Sequence, residues 1–163
     1  EIEAYYKSHR SEFLPPERLR AGHILFLAPI NADQDIERVK RTAAEQVLRG
    51  IRKGVGFSEM AKRHSQDPSA ARGGDLGIIL RGEVLPNFER VLFAMKEGEV
   101  SDVVRTRAGF HIIKLVRRLP RIPPPLSQVE SKIRNRIFQQ KVTTRMRRWM
   151  EELKKKAYIE VTM

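Results

Sequence analysis

The apolar positions of this chain change period several times, and each change predicts an element. Ile2, Tyr5, Tyr6 and Phe13 fall on or near one helical face and Pro15-Pro16 ends the run, which predicts a helix over 2–14. Its apolar anchors are too few for a free-standing helix, so it is expected to pack on another element. Residues 20–28 read RAGHILFLA, an apolar run stopped by Pro29, and predict a buried strand. Ile36, Val39, Ala43, Val47, Leu48 and Ile51 then recur at helical spacing, giving an amphipathic helix over 35–53. Asn31 or Asp33 can cap its start and Gly54 can end it. A short helix follows from Phe57 to His64, with Phe57, Met60 and Ala61 inward.

Residues 65–77 (SQDPSAARGGDLG) are turn chemistry, and 76–80 form a short strand. Pro86 opens a helix over 86–95, with Phe88, Val91, Leu92 and Met95 on one face. Strands are expected over 100–105 and 110–118, joined by a hairpin loop at 106–109. Four prolines between 119 and 125 mark a linker. Beyond it Ser127 and Glu130 have capping-box spacing, and Val129, Ile133, Ile137, Val142, Met146, Trp149 and Leu153 mark a helix of about 28 residues. Residues 157–162 alternate like a strand. The order β-α-α-β-α-β-β predicts an α+β core over about 18–118, with helical ends that resemble each other more than the core.

Composition changes this picture little; charge changes it more. The 163 residues contain no Cys, which removes disulfides, thiolate nucleophiles and cysteine-based zinc sites together. Lys and Arg number 32 against 20 acids, for a net charge of +12, which first points to nucleic acid. The excess is uneven: residues 1–20 are neutral, 21–119 carry +5 and 120–163 carry +7. The bases of the last helix (Arg145, Arg147, Arg148, Lys154, Lys155, Lys156) come without stacking aromatics, so a solvated helix face is favoured over a nucleic-acid site. No stretch is apolar enough to span a membrane. The chain opens Glu1-Ile2-Glu3 without an initiator Met, which reads as a processed or trimmed product.

Candidate chemistry centres on two histidines. His23 lies inside the first strand and His111 inside the last, so pairing of those strands could bring them together. Taken alone they read as satisfied core histidines. Asp67 and Asp75 could join them around a metal, but no HxH or HExxH spacing supports it, and no metal is expected. Ser65, His23 and Asp67 could formally compose a triad, but no nucleophile elbow surrounds any Ser. RGGDLG at 72–77 fits neither phosphate-loop pattern and reads as a tight turn into a strand.

Several separated motifs together carry a resemblance. His23-Ile24-Leu25, Ser65-Gln66-Asp67, Gly73-Gly74-Asp75-Leu76-Gly77, Phe88 with Phe93-Ala94-Met95, Gly98-Glu99-Val100-Ser101 and Gly109-Phe110-His111-Ile112-Ile113 run in order over about 18–118. They resemble the parvulin (rotamase) family of peptidyl-prolyl cis/trans isomerases. The flanks, EIEAYYKSHRSEFLPPERLRAGHIL and RMRRWMEELKKKAYIEV, resemble bacterial foldases of the SurA and PrsA type, in which a parvulin domain is inserted into a helical chaperone module.

The resemblance implies a parvulin-like four-stranded antiparallel sheet surrounded by helices, within an α+β fold. It divides the chain into a helical segment of a chaperone module (1–17), an isomerase domain (18–119) and a linker, basic helix and terminal strand (120–163). It implies a site of His23, His111 and Asp67, with Thr106 bonding one histidine, and a proline pocket of Leu76, Val84 and Phe88 with Ile79 on its wall. The Ser that often follows two positions after the Thr is Ala108 here, and the aromatics common after GDLG are Ile78 and Ile79. No cofactor is implied. The implied clients are unfolded or proline-containing polypeptides outside the cytoplasm, in the bacterial periplasm or a like compartment; the alternative is a chaperone or holdase with a weak or idle isomerase domain. The loop at 27–33 carries no base, so no phosphorylated substrate is required. The apolar faces of the terminal helices invite dimerisation or exchange of arms.

Overall fold

The computed structural model describes residues 1–160, with side chains described through residue 156. The chain forms two compact units, one of residues 16–121 and one of residues 1–15 with 122–163.

In the larger unit four antiparallel strands stand in the order β2-β1-β4-β3: β1 (Arg18–Leu27), β2 (Asp75–Leu80), β3 (Val104–Thr106) and β4 (Gly109–Arg118). β1 and β4 are the long central pair, with His23 opposite Ile113 and Leu25 opposite His111. Strand alternation then divides the side chains between two faces. Ile24, Phe26, Phe110 and Ile112 pack against α2 (Gln34–Arg52) and α3 (Phe57–His64) through Ala44, Val47, Leu48, Phe57 and Ala61. Leu19, Ala21, Ile113 and Leu115 pack on the other face with Ile79 and with Phe88, Leu92 and Phe93 of α4 (Pro86–Ala94). His23 and His111 belong to this second face, level with Phe88.

The end of α3 and the start of β2 are joined by a 3₁₀ turn (Pro68–Arg72) and Gly73-Gly74. Gly74 is required there. Its φ is +80°, and a Cβ would lie 2.4 Å from the backbone oxygen of His23. The close approach lets the His23 N–H donate to the Gly74 oxygen at 2.9 Å, which ties the turn to β1.

In the smaller unit α1 (Ile2–Ser8) and a 3₁₀ turn (Arg10–Phe13) lie on the first half of α5 (Leu126–Glu160). Ile2, Tyr5, Tyr6 and Phe13 meet Val129, Ile133 and Ile137, the Tyr6 hydroxyl donates to the Pro124 oxygen at 2.5 Å, and Glu12 pairs with Arg136 at 2.7 Å.

Six expectations change. The helix expected over 2–14 breaks after Ser8 into the 3₁₀ turn. Ile36 and Val39 continue the apolar period of α2 but are exposed, whereas Ala44, Val47 and Leu48 farther along the helix are buried. The strand expected at 100–105 survives only at its end, as β3, with a single bridge from Val100 to Lys114. The last helix has 35 residues rather than 28 and begins at Leu126, ahead of Ser127. It takes in 157–160, where alternation predicted a strand; the remainder of that stretch lies outside the described residues. Nor does α5 bury its full apolar stripe: Val142, Met146, Trp149 and Leu153 are exposed.

Candidate active site

The two central strands supply the histidines, and a short polar segment supplies the third group. Residues 65–67 are fastened to β1 by three hydrogen bonds and braced by one within the segment. Gln66 N–H donates to the Leu25 oxygen at 2.8 Å, and the Gln66 Oε1 accepts from Leu27 N–H at 2.9 Å. Ser65 Oγ accepts from the N–H of Leu25 at 3.1 Å and of Asp67 at 3.4 Å. Asp67 is therefore held beside His23 while its Oδ1 caps the 3₁₀ turn by accepting from Ser69 N–H at 2.8 Å.

The polar side chains form a line across the sheet. Asp67 Oδ1 lies 3.2 Å from His23 Nε2, His23 Nδ1 lies 3.2 Å from His111 Nδ1, and His111 Nε2 lies 2.8 Å from Thr106 Oγ1. The first of these is a close electrostatic contact that falls short of hydrogen-bond geometry, and His23 Nε2 has no other partner among the described residues. Both histidines and Thr106 are buried.

The partners assign the proton positions. Burial would raise the Asp67 carboxyl, but hydrogen bonding by Ser69 and the neighbouring His23 outweigh it and hold it below its ordinary value. An ionised Asp67 calls for a proton on His23 Nε2, so a neutral His23 presents a bare Nδ1. That nitrogen accepts from His111 Nδ1–H, and His111 Nε2 then accepts from the Thr106 hydroxyl. Each proton is used once, with both rings neutral. Burial agrees with this: it pushes His23 down against the pull of Asp67. It pushes His111 down to about 4, where the charges of His23 and Arg105 add to it and Asp67 opposes.

This neutrality gives a pH dependence of stability. In the unfolded chain the histidines take up protons below about 6.5, and in the folded chain they resist. The stabilisation is therefore complete above about 6.5 and is lost as pH falls toward 4; Asp67, also lowered, adds its loss only below the ordinary Asp range. The urea midpoint is expected to fall steadily between pH 6.5 and 4.5. A midpoint constant over that interval would show that the pair is protonated without cost.

An open cleft of about 1010 Å³ lies over the histidine pair. Leu76, Val84 and Phe88 form its apolar wall, and His23, His111 and Thr106 lie at its base. Phe88 meets both imidazoles at steep angles, with centroids 5.8 and 5.5 Å away. The eight residues singled out from the sequence do not all reach this cleft. Ile79 is buried in the core among Leu92, Ile113 and Leu115, and Asp67 touches His23 without lining the cleft. Conversely, Ile30 and Arg107 do line it, and nothing in their sequence context sets them apart from ordinary loop residues. The positioning roles of Ser65 and Gln66 were also hidden, since they are bonds to a strand 39 and 40 residues away. Among the described residues no three His, Asp or Glu side chains converge to hold a metal.

The antiparallel order β2-β1-β4-β3 with helices on both faces is a fold of the parvulin class. Residues 23–117 match the rotamase family, described as the PPIC-type PPIase domain, and the chain belongs to that family. It is 36% identical over 149 residues to the Chaperone SurA of Aromatoleum aromaticum, an alignment covering 88% of this chain and 32% of that protein. It is 30% identical over 159 residues to the putative peptidyl-prolyl cis-trans isomerase NifM of Azotobacter chroococcum, covering 94% of this chain and 53% of that one. The crystal structure of the peptidylprolyl isomerase PrsA from Bacillus anthracis superposes with a TM-score of 0.57 at 28% identity, covering 85% of this chain and 58% of PrsA. The chain thus spans a third to a half of the length of these curated relatives.

Proposed function

We propose that this chain is a peptidyl-prolyl cis/trans isomerase that assists the folding of extracytoplasmic proteins, without a requirement for phosphorylation. The observation that carries this reading is the apolar wall of Leu76, Val84 and Phe88 standing over a buried, mutually bonded histidine pair. The likeness to proteins named Chaperone SurA and PrsA supports the foldase role and the extracytoplasmic setting.

The chemistry asks little of the site. The X–Pro imide rotates over a barrier of about 18–20 kcal/mol because its C–N bond has partial double-bond character. Its planar form is charge-separated and well solvated; the twisted form is less polar. A cleft that holds the ring on Leu76, Val84 and Phe88 and excludes water from the imide favours the twisted form, and binding that prefers it lowers the barrier. Neutral histidines suit this task, since a charged pair would hold water in the cleft. Within this reading His23 and His111 form the base of the site, Thr106 fixes His111, and Asp67 fixes His23 by the charge it sets beside Nε2. Asp67 is then a positioning residue.

Turnover of a proline tetrapeptide by the chain tests the proposal. Leu76→Ala is expected to lower kcat/KM about tenfold, mostly through KM, since it removes part of the ring's apolar wall. No acceleration by the wild-type chain would overturn the isomerase reading.

A holdase reading is favoured by a different observation. Phe138, Val142, Met146, Trp149, Met150 and Leu153 of α5 are all exposed, an apolar run suited to unfolded chains. Suppressed aggregation of a proline-free client, together with absent prolyl turnover, would select it.

A further inference from the structure

We propose that Arg107 makes the cleft select prolines that are preceded by an acidic residue; this rests on the isomerase reading above. Three charged side chains line the cleft: Glu83, Glu89 and Arg107. The two acids are drawn back onto the backbone of the loop between β2 and α4. Glu83 accepts from Leu80 N–H at 2.8 Å, and Glu89 accepts from Gly82 N–H at 2.5 Å. Arg107 is different. It is exposed in the turn between β3 and β4, and no hydrogen bond or ion pair to another described residue holds it. Its neighbour Arg105 is spent elsewhere, on Glu37 at 3.0 Å and the Ala28 oxygen at 2.8 Å. Arg107 is thus the one charge on the cleft wall left available to a ligand among the described residues.

Its place in the turn assigns the substrate flank. Arg107 follows Thr106, whose hydroxyl bonds His111 at the end of the polar line remote from Asp67. With the proline ring against Leu76, Val84 and Phe88, the imide lies over the histidine pair. The proposal places the residue on its acyl side, the one before proline, toward the β3–β4 turn, where Arg107 lines the cleft. Ile30, also exposed on the wall, supplies apolar contact without charge. A single guanidinium matches one carboxylate, and among the described residues no second Lys or Arg lines the cleft to favour a phosphate dianion over it.

The test is kcat/KM for tetrapeptides with Glu, Ala or Lys before proline, and for a second pair with Glu or Lys after it, on wild type and Arg107→Glu. Ratios are taken within each variant, so a general loss of activity cancels. For wild type at low salt, Glu before proline is expected to exceed Lys by about two- to fivefold, the range of an exposed ion pair. The ratio should invert in Arg107→Glu and approach one at about 1 M salt. Equal turnover of the Glu and Lys peptides, or a preference only after proline, overturns the assignment. So does phosphoserine before proline if it exceeds Glu by more than tenfold. No turnover of any peptide by wild type would instead remove the isomerase reading, and this inference with it.

Discussion

Asp67→Ala is expected to lower kcat/KM for a proline peptide on the order of 10²-fold, the loss typical of reacting groups displaced by about an ångström. The carboxylate does not line the cleft, so its effect passes through His23. With Asp67 ionised, His23 keeps its proton on Nε2, and its Nδ1 is free to accept from His111. Remove the carboxylate and nothing selects that tautomer. A proton on His23 Nδ1 would face the one on His111 Nδ1 across 3.2 Å, and the rings would part. Asp67→Asn removes the charge but keeps an oxygen dipole facing His23 Nε2 and an acceptor for Ser69 N–H. It is expected to keep more than a tenth of the wild-type rate. Nitrogen-15 chemical shifts of the two imidazoles supply the readout that a merely structural role would leave unchanged: the ordered tautomer pair should be seen in wild type and Asp67→Asn, and lost in Asp67→Ala. Full activity in Asp67→Ala, or a normal tautomer pair alongside low activity, would refute the positioning role.

Phe110→Ala is expected to destabilise the chain by about 3–5 kcal/mol, enough to consume much of the roughly 5–15 kcal/mol that holds a domain folded. Phe110 is 1% exposed at the centre of the face shared by β1, β4, α2 and α3. It pairs with Phe26 across the β1–β4 ladder, and the guanidinium carbons of Arg105 and Arg41 stand 4.8 and 5.4 Å from its ring centroid. Truncation leaves a cavity between a sheet and two helices that cannot collapse together, and it removes the ring under two cations. Phe110→Leu, which keeps most of the volume, should cost under about 2 kcal/mol. Urea unfolding followed by circular dichroism measures both, since Trp149 belongs to the other unit and its fluorescence does not report on this core. A Phe110→Ala loss below about 1 kcal/mol would show that the helices close over the gap.

Wherever the apolar period was backed by a sheet, the elements were legible in the chain. Residues 57–64 form α3 within the bounds that spacing predicts, and β1, β2, α2 and α4 fall within two residues of expectation. Where the period had no partner, it misled. Ile36 and Val39 keep helical spacing yet face solvent, and alternation at 157–160 does not make a strand, because a neighbour is needed to pair with it. Of the site, the residue types were visible and their roles were not. His23 and His111 stood out as polar residues inside apolar runs, but only the family resemblance moved them from core to site.

The sequence by itself determined the order of elements, the assignment of the histidines to the two central strands and the want of thiols. These rest on local period and composition, which act over a few residues. The antiparallel register, with Leu25 opposite His111, was decided only in three dimensions, and with it the contact of two imidazoles 88 positions apart. The tertiary structure likewise placed Ile79 in the core and brought Ile30 and Arg107 to the cleft. Such choices depend on which strand face each helix covers and on where a loop crosses the sheet. Those are long-range packing outcomes, and no window of the chain encodes them alone.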